Sequence, residues 1–528
     1  MIIKTRTVLR NKAKCAGKRL KKMKRRPIGM ICLLCVCVLL SGCQSQGQVA
    51  AVQATLPPVA PKWEAPTADV ESAYEQTVMM YLPSTDGTRL VAVPQRVLVP
   101  AGKHMAKMLC EVLLAHPGDE GTAAVGAGIR LSLAGREAVE VSGDTATVNL
   151  DVSALSLSNE QFFTVGQALA NTLCQFGDIQ YVNVLINGVQ PGLNRAGTLP
   201  AGCFQMNMRE DLAALWSRAS APISQNRRAY AASLYYPAPS GKGILCETRT
   251  FALVSTDIAS LTQTLLDALA SEAVTLPRLP RCPDFRTLLA DTPAVEDRDN
   301  RRVLVLRFRD GMNSALIDAG ITRSVMMASL VYTFTSFLPW IEGMEVYIGD
   351  ERISSLTPSG VYRRAGEVMT FTDGIMTRQD FEGFLLAECS LFFLDESGRL
   401  SRVYRPVPSQ NAFSAREIYL QLLDGPQAYD SKTGLQPVLP QGLEEDDLLG
   451  VSYDGSVLLI NFSQKLMTIT EEMEGKAVES MVYGLVNTMC CLPGVKRVAI
   501  FAAGMQPESL GGTVYLPGDF LPSPNMEE

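Results

Sequence analysis

Ser390-Leu391-Phe392-Phe393 reads as a short apolar strand with its aromatic residues at the end, followed by a turn and a second short strand. The same succession starts at Ser233-Leu234-Tyr235-Tyr236 and at Val78-Met79-Met80-Tyr81, so the chain repeats itself about every 155 residues, a whole domain each time. Each second strand carries an arginine on that period: Arg96, Arg249 and Arg405. A helix follows. Met105, Met108, Leu109, Val112 and Leu113 keep the spacing of a helix with one buried face. Ala415, Ile418, Tyr419, Leu422 and Leu423 repeat it in the third copy, and Ile258, Leu261, Leu265 and Leu269 are a looser version in the second. Ser414 with Glu417 reads as a capping box, each side chain meeting an orphan N–H at the helix start.

Beyond this helix each copy reaches a strongly apolar strand, at 146–150, 303–306 and 457–462, of the kind that suits the middle of a sheet. A second helix then presents Val165, Leu169, Leu173 and Phe176 in the first copy and Val478, Met481, Val482, Leu485 and Met489 in the third. A threonine recurs inside it as Thr172, Thr333 and Thr488, and a last strand closes each copy at 181–186, 344–348 and 495–501. This order predicts an α+β fold of three tandem two-layer modules, each a mixed β-sheet with two helices on one face. The modules fall at 76–190, 230–351 (a degenerate copy) and 388–510, with linkers at 191–229 and 352–387 and a C-terminal tail at 511–528. The linkers are richer in Pro, Gly, Ser and Arg, with short helices expected at 211–218 and 381–386.

Upstream of the repeat, Lys18-Arg19-Leu20-Lys21-Lys22-Met23-Lys24-Arg25-Arg26 leads into an uncharged apolar run at 28–40 that ends in Leu40-Ser41-Gly42-Cys43. As a helix that run would reach only about 20 Å, short of a hydrocarbon core of about 30 Å. A cleaved export signal at 1–42 is therefore favoured over an uncleaved anchor. The four-residue end resembles the lipobox of bacterial lipoproteins, which implies lipidation of Cys43 and attachment to the outer face of the cell membrane. Residues 43–75, Gln-rich and then Ala/Pro-rich, read as a flexible tether with no packed element.

Residues 1–42 hold 12 Lys/Arg and no Asp or Glu, which leaves 36 basic against 54 acidic residues, a charge near −18, on the remainder. Such a surface repels phosphate polymers, so nucleic acid is excluded as a partner. Four of the 13 cysteines, Cys15, Cys32, Cys35 and Cys37, leave with the signal. The eight beyond Cys43 read mostly as buried thiols, with disulfide pairing left open.

Chemistry-bearing patterns are few. The only histidines, His104 and His116, have no partner at metal-ligand spacing, so neither a metal nor a cofactor is expected. The glycine-rich stretch 121–128 lacks the Lys-Ser/Thr of a phosphate loop, and no GxSxG or HExxH occurs. Glu444-Glu445-Asp446-Asp447 and Glu471-Glu472 read as solvated charges, not a glycosidase pair. Arg96, Arg249 and Arg405 are the candidate binding residues. Each either offers a guanidinium to a carboxylate or phosphate, or, on the plainer reading, satisfies carbonyls or an acid within its own repeat. Asn149 and Asn461 read as edge or turn hydrogen-bonders.

In the third copy the first helix ends in Leu422-Leu423-Asp424-Gly425-Pro426, followed by Gly434-Leu435-Gln436-Pro437-Val438-Leu439-Pro440 and by Leu459-Ile460-Asn461-Phe462-Ser463. The first copy carries Leu113-Leu114, Val148-Asn149-Leu150-Asp151 and Val184-Leu185-Ile186-Asn187-Gly188. These motifs resemble the GerM domain of Firmicute lipoproteins of sporulation and spore germination. The first copy departs with Ala115-His116-Pro117 at its helix end, and the second matches in fold only, with Arg307-Phe308-Arg309 in place of the Asn-containing strand. The resemblance implies an extracytoplasmic, non-catalytic module similar to the ring-building domains of spore-envelope assemblies, acting through protein or cell-wall contacts. The expected function is a membrane-anchored binding scaffold for envelope proteins or peptidoglycan. The alternatives are a ligand-sensing or sensor-kinase-associated accessory and, last, a cell-wall hydrolase. Repetition also allows self-association.

Overall fold

Period-2 alternation builds the opening hairpins. In β1 (Ala73–Pro83) Val78, Met80 and Leu82 are buried while Glu75, Thr77 and Met79 face out, and β1 pairs antiparallel with β2 (Leu90–Pro100). Helix α1 (Ala106–Ala115) follows, then β3 (Val139–Ser142), β4 (Thr145–Leu150), helix α2 (Asn159–Leu173) and β5 (Tyr181–Ile186). The second module, after α3 (Leu212–Ser220), is β6 (Arg228–Pro237), β7 (Ile244–Leu253), α4 (Ile258–Ala270), β8 (Ala294–Arg298), β9 (Arg301–Phe308), α5 (Gly311–Asp318), α6 (Arg323–Phe337) and β10 (Gly343–Ile348). The third is β11 (Leu386–Leu394), β12 (Leu400–Pro408), α7 (Ala415–Leu423), β13 (Leu448–Asp454), β14 (Val457–Phe462), α8 (Lys465–Glu471), α9 (Gly475–Met489) and β15 (Arg497–Ala502). This computed structural model describes residues 63–135, 137–223, 228–276, 278–361 and 366–527, which lie in one compact unit. Cys43, the export signal and the first part of the tether fall outside the described residues.

The fold is α+β in three tandem modules. In each, a central strand (β4, β9, β14) runs antiparallel to the strand before it and parallel to the one after it. The parallel pair is what the crossover helices α2, α6 and α9 make possible. The strands of a module divide, however, into a hairpin and a separate mixed sheet instead of joining in one. The recurring threonine supplies the reason. The hydroxyls of Thr172, Thr333 and Thr488 accept the backbone N–H of Tyr81 (3.2 Å), Tyr235 (3.0 Å) and Phe392 (3.0 Å). The outer edge of each opening strand thus spends an N–H on a helix, where a free edge would invite another strand.

The stretches expected to be linkers, and the tail, are closing arms of the modules. After its last strand each chain segment turns back and makes the same two-bond antiparallel bridge to that strand. Val182 exchanges bonds with Phe204 (2.9 and 2.8 Å), Met344 with Met376 (2.8 Å both ways), and Val498 with Phe520 (3.0 and 2.8 Å). Sheet edges demand partners, so each module carries its own. Within these arms α3 is N-capped by Asp211, whose carboxylate accepts from Ala214 N–H at 2.6 Å. In place of a helix at 381–386 there is a 3-10 turn, Arg378–Phe381, and then the start of β11.

The part of the expected tether that is described is packed. Trp63 lies buried against Val457, Leu459, Ala499 and Phe501 on the outer face of the third module's sheet, and its indole N–H donates to Asp454 at 2.6 Å. Asn461 Nδ2 donates to Pro66 O at 2.8 Å, and Val70 N–H to Val451 O at 2.8 Å. Asp69 holds Arg416 through both carboxylate oxygens, at 2.6 and 2.9 Å. The strap crosses Gly450, where a Cβ would come within 2.6 Å of Ala68 N. A lone tryptophan in an Ala/Pro-rich stretch was the sequence signal for this contact.

Helix α6 is buried on all sides from Ser324 to Phe337, which is why it shows no amphipathic stripe. Among the described residues no single helix is long and apolar enough to cross a membrane. At the start of α7 the Ser414 hydroxyl accepts from Glu417 N–H, but Glu417 reaches Gln421 and Asn411 instead of closing a capping box. The reciprocal box forms on α2, between Ser158 and Gln161.

Candidate functional site: arginine clamps and the module junction

The threonine latches set the three modules in register, and that register sorts the arginines. Tyr81, Tyr235 and Phe392 stand opposite Ala92, Cys246 and Arg402. Three residues on lie Gln95, Arg249 and Arg405, so Arg96 is one residue out of step. A one-residue slip in a strand turns a side chain to the other face, and Arg96 is exposed, opposite Thr77.

Arg405 is completely buried. It grips Asp430 through Nε (2.9 Å) and Nη2 (2.7 Å), donates to Gln421 O (2.7 Å) and Gly425 O (2.7 Å), and lies 5.4 Å from the Phe393 ring. The orphan carbonyls at the end of α7 are thereby satisfied. Burial alone would lower the guanidinium's pKa, but the Asp430 carboxylate more than compensates and the group is firmly cationic. Arg249 does the same at the end of α4, less deeply. Its Nη1 donates to Ser271 Oγ (2.6 Å), Tyr236 OH (3.1 Å) and Ala268 O (3.3 Å), with Glu247 at 3.7 Å from Nε. Two of the three arginines therefore serve their own repeat.

A further arginine, missed in the sequence, stands where the first two modules meet. Arg378 donates to Glu140 of β3 at 2.6 Å and to Ser336 at the end of α6 at 2.9 Å, and its guanidinium lies 3.9 Å over the Tyr332 ring. Burial opposes its charge, and Glu140, Tyr235 and Tyr332 together hold its pKa above the ordinary arginine value. Burial pushes the Tyr235 hydroxyl up to about 12, so the tyrosine is neutral at physiological pH. Beside this cluster the junction continues through Thr145 to Thr248 (2.5 Å), Thr147 to Tyr235 OH (3.2 Å) and Asn183 Nδ2 to Ser336 O (3.1 Å). Next to it opens a cleft of about 580 Å³, lined by Asp151, Asn187, Arg301, Glu342, Arg378 and Glu382 among others. Ser132 and Ser153 hold the Asp151 carboxyl below its usual range.

His104 precedes α1, pairs through Nε2 with Asp178 at 2.7 Å and stacks edge-on against Phe413 of the third module at 5.1 Å. His116 accepts from Gly118 N–H just past the end of α1. The eight cysteines among the described residues are free thiols. Burial raises Cys174, Cys282, Cys389 and Cys490 to about 12, which leaves them as poor nucleophiles. Asn149 and Asn461 each accept from a turn glycine at the end of the neighbouring strand, Gly188 (2.8 Å) and Gly504 (3.1 Å). Among the described residues no group of three or more His, Cys, Asp or Glu is placed to hold a metal ion.

With this geometry in place, residues 79–191 and 390–508 match the Germane family model, described as sporulation and spore germination. The two matched segments coincide with the first and third modules. The clamp of Arg405 on the end of α7 lies within the second of these Germane segments, and the Glu140 side of the junction within the first. The solved tandem GerMN domains of the sporulation protein GerM from Bacillus subtilis are similar at 18% identity, covering 57% of this chain and 99% of that one, with a TM-score of 0.22. The first GerMN domain of that protein is similar at 23% identity over 21% of this chain and 84% of its own, with a TM-score of 0.18. A candidate lipoprotein from Clostridium perfringens is similar at 19% identity over 26% and 87%, with a TM-score of 0.18. None of the curated proteins matches the chain. The likeness to sporulation and spore-germination proteins thus rests on the first and third modules.

Proposed function

We propose that the chain is an exported lipoprotein, anchored to the outer face of the cell membrane through Cys43, whose Germane modules act without catalysis as a binding scaffold in sporulation, germination or envelope assembly. The observation that carries this reading is the use made of its reactive-looking side chains. Arg405, Arg249 and Arg378 are committed to carbonyls and carboxylates of the protein itself, and burial suppresses its thiols. What remains for function is surface. Crosslinking and mass spectrometry of the tagged chain in its native cells, through growth and starvation, tests it, with Cys43→Ser as the anchoring control. Envelope-assembly proteins or wall fragments among the products, and loss of the Cys43→Ser chain from the membrane fraction, are the expected results. Hydrolysis of wall polymer by the purified protein, lost on a single carboxylate change, would refute the scaffold.

The cleft beside Arg378 favours one second reading, a ligand-sensing accessory. It is concave, lies between two modules and is richer in carboxylates than in cations. Recovery of a sensor kinase, or of a small cationic ligand bound there, would select this reading over the scaffold.

A further inference from the structure

The first and third modules use the same sheet face differently. Register equates Thr145, Thr147, Asn183 and Leu185 of the first module with Val457, Leu459, Ala499 and Phe501 of the third. In the first module three of those four positions hydrogen-bond the second module: Thr145 to Thr248, Thr147 to Tyr235 and Asn183 to Ser336. In the third, Trp63 of the strap covers the corresponding residues. At the other end of the repeat stands the matching half of that contact. The hairpin face by which the second module docks carries Ser233, Tyr235, Cys246 and Thr248, and its counterpart in the first module carries Met79, Tyr81, Ala92 and Pro94. Met79, Ala92 and Pro94 are exposed there, and so is Leu98 farther along the same face, at 64%.

We propose that the strap at 63–70 caps a module-docking face, and that the face, when uncovered, accepts a second copy of this chain through the β1–β2 hairpin of its first module. The contact continues between copies the one already made between the first and second modules. Being heterologous, it lets copies add head to tail, with one free hairpin and one free face at the ends of any assembly that does not close into a ring. The residues that meet, Met79, Ala92 and Pro94 of the hairpin and Val457, Leu459, Ala499 and Phe501 of the sheet, are apolar, which suits their mutual burial better than exposure, while Arg96 stands beyond them on the same hairpin face. The strap's hold includes the Trp63 indole, the Asp69 carboxylate on Arg416 and Val451 N–H, and backbone bonds at Pro66 and Val70.

The test uses the full chain, in membranes of the expressing cells, with a photoreactive benzoylphenylalanine in place of Leu98. The strap is released from its own side by Trp63→Ala with Asp69→Ala, or from the sheet side by Gly450→Ala, which drives a Cβ into Ala68 without altering Trp63 or the residues beneath it. Irradiation is expected to give crosslinked multimers several-fold above the unreleased chain, with the crosslinked peptides drawn from 457–461 or 497–502 of another copy. Adding Leu459→Glu should abolish them. A released chain that resists protease as the parent does and yet gives no increase overturns the proposal, whichever release is used, and so do crosslinks that map elsewhere or survive Leu459→Glu.

Discussion

Replacing Arg405 by alanine strands Asp430, a carboxylate with no exposed surface, together with the Gln421 and Gly425 carbonyls. Removing one partner of a buried ion pair costs about 3–5 kcal/mol, because the remaining charge stays buried and unpaired. At about 1.4 kcal/mol per tenfold, local opening of the third module should become roughly a hundred- to several-thousand-fold more frequent. Native-state hydrogen exchange reads this directly in the amides of β11, β12 and α7. The double variant Arg405→Met with Asp430→Leu should recover most of the loss, since apolar side chains replace the pair without leaving a charge. The arginine series then follows burial. Arg249→Ala should cost about 1–2 kcal/mol, as its guanidinium is a quarter exposed and its partners are mostly neutral. Arg96→Ala should stay within about 0.5 kcal/mol, as surface changes do. Unchanged exchange in Arg405→Ala, or equal damage from Arg96→Ala and Arg405→Ala, would refute the assignment of clamps by register.

Thr488→Val should leave the Phe392 N–H without a partner and cost about 1–3 kcal/mol, read as a lower denaturation midpoint, with Thr172→Val and Thr333→Val behaving alike. Arg378→Met should destabilise the first two modules together by about 3–5 kcal/mol, and Arg378→Met with Glu140→Gln by clearly less, in urea titrations followed by near-ultraviolet circular dichroism. Burial raises the Glu388 carboxyl from the ordinary 4.5 to about 7, so the folded state holds that proton more tightly than the unfolded chain. The resulting stability is fully present below about pH 4.5 and is lost as pH rises through about 7, by at most about 3 kcal/mol. Glu388→Gln should flatten that part of the stability curve and leave the rest unchanged.

The repeat was legible because its signals are local. Apolar periodicity placed the strands and helices, and the recurring threonine stood out because a hydroxyl in an apolar helix face asks for a partner. The arginines were half legible. Their period is visible in the sequence, but a strand shifted by one residue differs from an aligned one only in which face its side chains take, and only the pairing of Tyr81 with Ala92 decides that for Arg96. Neither the closing arms nor the Arg378 cluster has a local signature. Phe204, Met376 and Phe520 share no motif, since an antiparallel bridge is made by backbone atoms that every residue carries. Arg378 acquires its meaning only when Glu140, far away in the chain, is brought beside it.

One difference that looked like drift between the copies is the informative one. A sheet face must be covered by something whose chemistry matches it. Thr145 and Thr147 share hydrogen bonds with Thr248 and Tyr235 of the second module's hairpin, and Asn183 donates to the Ser336 carbonyl at the end of α6. Valine, leucine and alanine at 457, 459 and 499 have none to supply, and are met by an indole whose one polar atom is directed past them to Asp454. The polarity of those positions therefore records what lies over each face. The second module is the partner that meets the first module's polar face, through Thr248, Tyr235 and the Ser336 carbonyl.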